Sequence, residues 1–196
     1  MNSLVVHAHP DPDSFSHALL ERVVAGLESA GHAVDLIDLY AVDYCAAMSR
    51  DEHLAYSSSS PILDPVVARH AEQIRSCDTL VFVYPTWWST FPAILKGWIE
   101  RTLVPGVAFD LDGESGKLRP LLTNIDRLIG VTTHGSPRWY VKIINDNGRR
   151  TMTRTLRACT GLRVKTTWLA MYELDARSPV RRQQFLRRVQ QKLGKL

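Results

Sequence analysis

Apolar residues fall in five short runs separated by longer stretches of helical periodicity. Ser3–Ala8, Ala33–Leu39, Thr79–Tyr84, Arg127–Thr133 and Val164–Met171 are rich in β-branched and aromatic residues. Runs of this length and make-up suit strands of a parallel sheet covered on both faces. Between them, Leu19, Val23 and Leu27 share one face of a helix that begins near Phe15 and stops at Gly31, with Ser14 or Asp13 as its cap. Pro65–Cys77 presents Val66, Val67, His70, Ile74 and Cys77 in the same way, and Pro92–Leu103 is a third helix with Pro92 placed in its first turn. A further helix lies within Lys142–Thr160, and Pro179–Leu193 closes the chain with Leu186, Val189 and Leu193 inward. Tyr40–Leu63, which carries the tetraserine Ser57–Ser60, is the least regular part; Val104–Pro120 reads as a Gly- and Asp-rich loop holding Phe109 and Leu111.

Strands alternating with helices predict an α/β fold: a doubly wound five-stranded parallel sheet of order 2-1-3-4-5, helices on both faces and right-handed crossovers. The alternation resumes after the tetraserine, so residues 1–196 read as a single domain.

Composition adds exclusions. A hydrophobic fraction of 45% and a charged fraction of 22% are those of an ordinary globular protein. No apolar run approaches the roughly 20 residues of a membrane span, and the amino terminus lacks the features of a secretory signal, so a cytoplasmic protein is expected. Cys45, Cys77 and Cys159 are too few and too irregularly spaced for a disulfide framework or a structural zinc site. The excess of Lys and Arg over Asp and Glu, 24 to 20, sits mainly between Arg177 and Lys195. Without aromatic interleaving or a nucleic-acid motif it reads as a solvated helix face.

The chemistry gathers in three loops, each at the carboxyl end of a different strand: His9–Ser16, Pro85–Thr90 and Thr132–Tyr140. In the predicted strand order these ends are neighbours at the switch point, where open α/β sheets bind ligands. The first loop lacks the glycine patterns of dinucleotide or nucleoside triphosphate binding. It does lead into a helix amino terminus, which favours an anion such as phosphate; Ser14 then serves as phosphate ligand or plain N-cap, and His9 as ligand or loop hydrogen-bond partner. His7 and His9, two residues apart, can share a strand face, but no carboxylate or cysteine set completes a metal site with them, and none is expected. In the second loop the adjacent Trp87 and Trp88 suggest a flat aromatic ligand, with at most one of the pair facing it and core packing as the other use of such residues.

Three motifs in this order resemble the flavodoxin-like NAD(P)H:quinone oxidoreductase family, the DT-diaphorase type and its shorter bacterial relatives. They are Val6-His7-Ala8-His9 with Ser14-Phe15-Ser16, Pro85 through Trp98 with its Phe91-Pro92-Ala93-Ile94-Leu95-Lys96-Gly97-Trp98 core, and Thr132-Thr133-His134-Gly135-Ser136 followed by Tyr140. The resemblance implies a flavin, FAD or FMN, reduced by NAD(P)H and reoxidised by a small quinone-like acceptor in a ping-pong cycle. It implies that His9, Ser14, Phe15 and Ser16 hold the flavin phosphate and ribityl region, and that Pro85, Thr86, Trp87 and Trp88 run along the isoalloxazine edge. Thr132, Thr133, His134 and Gly135 form the second flavin-edge loop, with Tyr140 near the pyrimidine carbonyl. Trp88 and Phe109 are then substrate-binding, Phe109 as the aromatic of the long loop that covers the acceptor.

Hydride transfer to a flavin places negative charge at its N1–C2=O region, where a fixed donor such as Tyr140 is stabilising. The DT-diaphorase branch has a histidine six residues beyond the tyrosine; this chain has Asp146, and it has His134 where that branch has glycine. Tyr140 and His134 are therefore the candidate catalytic donors. The resemblance also implies a homodimer with the site between subunits. An azo- or nitroreductase, or a flavoprotein subunit that regulates a partner such as a potassium-efflux system, are the alternative functions. A one-electron carrier is disfavoured by the basic composition.

Overall fold

The structure is a computed structural model and describes residues 1–113, 116–161 and 163–196. Five strands, β1 (Asn2–His7), β2 (Ala33–Asp38), β3 (Thr79–Pro85), β6 (Arg127–Thr133) and β7 (Lys165–Met171), form one parallel sheet in the order β2-β1-β3-β6-β7. This is the predicted 2-1-3-4-5 arrangement, the two intervening strands being an insertion.

Strand alternation splits the core in two. Leu4 and Val6 of β1, Leu80, Phe82 and Tyr84 of β3 and Leu128 of β6 face one side, where α3 (Pro65–Ser76) and α4 (Ala93–Thr102) supply Val67, Ile74, Leu95 and Trp98. Val5, Val81, Val83, Ile129 and Val131 face the other, against α1 (Phe15–Ser29) and α8 (Pro179–Leu193). Every residue of β3 is buried, as a central strand covered on both faces requires. Helices α1 and α8 touch closely at Gly26: a Cβ there would stand 2.8 Å from the Gln190 carbonyl oxygen.

Three local expectations are corrected. Tyr40–Leu63 contains α2 (Arg50–Ala55), announced by a capping box in which Ser49 Oγ accepts from Glu52 N–H and the Glu52 carboxylate accepts from Ser49 N–H. Val104–Pro120 contains an antiparallel hairpin, β4 (Phe109–Leu111) with β5 (Leu118–Pro120); positions 114 and 115 of that stretch lie outside the described residues. Its three-residue strands are too short to show periodicity. Pro92 precedes α4 as its N-cap, with extended ψ of 149°, and so is not in the first turn. The helical material after β6 is divided into α5 (Arg138–Ile143), α6 (Asn147–Arg150), a π-helical turn (Thr151–Leu156) and α7 (Arg157–Cys159).

Helix α2 is tied to the rest by a buried ion cluster. Arg101 of α4 donates to Glu52 at 2.6 and 2.9 Å and to Asp64 at 2.8 Å, also reaches the Cys45 carbonyl, and lies over the Tyr44 ring at 5.2 Å. Burial pushes the Glu52 carboxyl up, but the Ser49 N–H and the Arg101 guanidinium outweigh it and hold the group ionised below its ordinary range. The cluster fixes α4, and through it the preceding turn. Gly97 has the tightest place on α4, since a Cβ there would fall 2.1 Å from the Ala46 carbonyl oxygen.

Candidate active site

The strands β1, β3 and β6 end side by side, so the three predicted loops meet along the carboxyl edge of the sheet. After β3, Thr86 N–H donates to the Thr133 carbonyl at 2.8 Å, and the Thr86 and Thr132 hydroxyls are bonded at 2.9 Å. These bonds stitch the second loop to the third. Pro85, Thr132 and Thr133 are buried beneath the site as strand ends.

Past Thr86 the chain makes a two-residue reversal. Trp87 and Thr90 exchange backbone hydrogen bonds at 3.0 and 3.2 Å, and the residues between them, Trp88 and Ser89, both have positive φ, 46° and 63°. That backbone is the one glycine and asparagine favour, and for other residues it costs about 1 kcal/mol or more each. Its effect is to hold the Trp88 side chain 99% exposed. Trp87 turns instead toward the first loop, its ring 6.0 Å from that of His9.

Between this turn and the third loop lies a cleft of about 330 Å³, at the lower end of small-molecule sites, which run from about 300 to 1,000 Å³. Thr86, Trp88, His134, Gly135 and Tyr140 line it, with Val141 of α5 and Ile144 at its C-cap as an apolar wall. Five of the residues singled out from sequence are thus brought together. A side chain at Gly135 would enter open space, with no atom nearer than the Asp175 carboxylate at 3.8 Å.

His134 is the buried polar member of this wall. Its ring stacks on Tyr172 at 4.7 Å, and its Nε2 is buried with no hydrogen-bond partner. Burial alone pushes its imidazole down to about 4, so at neutral pH the ring is uncharged and can only hydrogen-bond. In the unfolded chain the same group titrates near its ordinary value of about 6.5. The folded state therefore binds fewer protons between those values, and stability is lost as pH falls from about 6.5 toward 4, by up to roughly 3 kcal/mol. Replacing His134 by glutamine is expected to flatten that part of the profile, measured by urea unfolding at pH 7 and pH 4.5.

The remaining predicted residues stand elsewhere. Ser14 Oγ accepts from His17 N–H at 3.1 Å and is the N-cap of α1, while His9 Nδ1 accepts from Asp11 N–H at 3.0 Å. Both make a local hydrogen bond. Ser16 is buried with its hydroxyl 3.5 Å from His7 Nε2, and Phe15 is half-buried against the α1–α8 core. This loop meets the second loop through the His9–Trp87 contact. Phe109 is not in the cleft: it lies at the hairpin, beside a separate apolar cavity lined by Met48, Tyr56, Ile99 and Leu156. Asp146, six residues after Tyr140, is half-buried in a left-handed conformation, and burial pushes its carboxyl up. Sequence reasoning missed Tyr172 and the α5 wall. Tyr172 directly follows the last strand, so the carboxyl end of the fifth strand was the available signal.

A family model described as the flavodoxin-like fold matches residues 1–195. This chain belongs to that family. Among similar proteins, this flavodoxin-like chain is 34% identical over 166 residues to ribosyldihydronicotinamide dehydrogenase (quinone) of Homo sapiens, covering 74% of this chain and 69% of the human protein. An NAD(P)H:quinone oxidoreductase from Methanothermobacter marburgensis superposes with a TM-score of 0.82 at 26% identity, covering 100% of this chain and 96% of that one. An FMN-dependent NADH-azoreductase from Bacillus anthracis, solved in complex with FMN, superposes with a TM-score of 0.77 at 17% identity over 99% and 98% of the two chains. That last likeness carries the fold alone.

Proposed function

We propose that this flavodoxin-like chain is a flavin-dependent NAD(P)H oxidoreductase that reduces small quinone-like acceptors by two electrons. The observation that carries the reading is the cleft itself, a slot at the switch point bounded by a projecting indole on one side and by the His134–Gly135 loop on the other. The names of the human and archaeal relatives support the class of reaction.

The residues fit a flavin. Gly135, among the residues that line the slot, carries no side chain, and the buried Nε2 of His134 is an orphan that a ligand can satisfy. When bound, a flavin supplies the hydride-accepting ring that nicotinamide reduces and the acceptor then oxidises. Thr86 and Gly135 would hold its ring, and the amino terminus of α1 would receive its anionic end. Tyr140, at the mouth of the cleft, would present its phenolic O–H to charge developing there, while Val141 and Ile144 keep water from one side. The phenol is 42% exposed, so the benefit is moderate: Tyr140→Phe is expected to slow flavin reduction about tenfold with flavin affinity nearly unchanged, read by stopped-flow absorbance.

Phe109 does not reach the cleft of its own chain, and Trp88 is fully exposed; both fit a homodimer in which a second copy completes each site, as expected from sequence. Among the described residues no helix is long and apolar enough to cross a membrane, and a cytoplasmic location remains part of the proposal. The test is the visible spectrum of the purified protein reconstituted separately with FMN and FAD, before and after NADPH under nitrogen. A flavin band near ~450 nm that bleaches with NADPH and returns with a quinone is the expected result. A protein that retains neither flavin would overturn it.

A further inference from the structure

We infer that the carboxyl edge of β1 and β2 holds a second site, separate from the cleft, for a divalent transition-metal ion ligated by His7, His17 and Asp38. The last residue of β1 and the last of β2 are register partners, which brings His7 Nδ1 and Asp38 Oδ2 to 3.0 Å. Helix α1 returns over this point and sets the His17 ring 5.7 Å from that of His7, edge to face. Each residue offers one ligand atom, and the three atoms lie within 4.8 Å of one another. The sequence pairing of His7 with His9 is replaced by this set, which includes the carboxylate that the sequence could not supply.

Bonds of 2.0–2.2 Å to imidazole and carboxylate in a tetrahedral site put ligand atoms about 3.3 Å apart. The His7–Asp38 pair is already at that spacing. The ion takes the place of the hydrogen bond between Nδ1 and Oδ2, and a rotation of the half-buried His17 side chain toward the pair completes the set. The surroundings hold the donors as ligands need. Asp38 Oδ1 accepts from Tyr40 N–H at 3.1 Å and Ala41 N–H at 3.2 Å, so Oδ2 is the oxygen left to point at His7. The other ring nitrogen of His7 faces Ser16 Oγ at 3.5 Å, the position from which an outer partner fixes the tautomer of a ligating histidine. The backbone of His17 is pinned by its bond to Ser14 Oγ. Two imidazoles and one carboxylate, with no thiolate, suit zinc, cobalt or nickel and leave a fourth position for water.

The test uses tag-free, metal-stripped protein. Zinc is titrated by calorimetry, and cobalt is followed by its visible bands, for the parent chain, His17→Gln, Asp38→Asn and the control His53→Gln, which removes an exposed imidazole elsewhere. One zinc per chain is expected, with a thermal midpoint several degrees higher in its presence. His17→Gln and Asp38→Asn should each weaken binding at least tenfold, and the control should not. His17 is half-buried on a helix surface, so His17→Gln reports on the site even if Asp38→Asn perturbs the fold. An isotherm unchanged in His17→Gln, or no zinc bound at about 100 μM, overturns the site and leaves His7 and Asp38 as a hydrogen-bonded pair only.

Discussion

Replacing Gly135 by leucine is expected to leave the protein folded and to abolish its retention of flavin. The backbone at Gly135 is outside the left-handed region, and a Cβ meets nothing closer than 3.8 Å, so the folded chain tolerates a side chain there. Gly135 is one of the residues that line the cleft beside Trp88 and Tyr140. A planar ligand and four added carbons cannot share a slot of about 330 Å³. The expected outcome is a melting temperature within a degree or two of the parent, with flavin affinity down about 100-fold or more, which corresponds to ~2.7 kcal/mol. Fluorescence titration with FMN and FAD measures it. Parent-like affinity would mean that the flavin lies elsewhere on the sheet edge.

The converse is expected for Arg101. Its side chain is 5% exposed, and its guanidinium is the shared donor of the Glu52 and Asp64 carboxylates, whose side chains are 10% and 30% exposed. Arg101→Met keeps the length and apolar stem but strands two carboxylates in the space they now occupy. Breaking a buried pair in this way costs about 3–5 kcal/mol, a large share of the 5–15 kcal/mol that holds a domain together. For a chain of this size the midpoint should fall by roughly 10 °C. Urea and thermal unfolding of Arg101→Met, alongside the triple exchange Glu52→Gln, Asp64→Asn, Arg101→Met, separate the two components: the triple variant should recover much of the loss. If the single exchange costs less than about 1 kcal/mol, the cluster is a solvated one of little consequence.

These predictions rest on parts of the molecule that were unequally visible in the sequence. The sheet was legible because β3 and β6 are largely apolar at their centres and are followed by turn-forming loops, and because alternating strands and helices point to a doubly wound parallel sheet. The cleft was legible as far as it is built from strand ends: Thr86, Trp88, His134, Gly135 and Tyr140 follow two neighbouring strands, and neighbourhood is a property of topology. What the sequence hid has a common cause, which is dependence on distant contacts. Ser14 and His9 carry a local hydrogen bond each, and nothing in a polar loop distinguishes that use from holding a phosphate. Phe109 belongs to a three-residue strand whose partner lies beyond a turn, so the side of the molecule it faces was not written locally. Asp38 read as an ordinary polar end to a strand until register placed it against His7.

The turn at Trp87–Thr90 has one more consequence. Two successive left-handed residues with side chains, neither of them glycine or asparagine, are a mismatch between a sequence and the backbone it adopts. Nothing in the core asks for it, since the indole it carries touches solvent on all sides. A local conflict of that kind can be found from dihedral angles alone, in a chain with no ligand and no relatives. It marks the edge of the sheet where the cleft lies, before the shape of any pocket is measured.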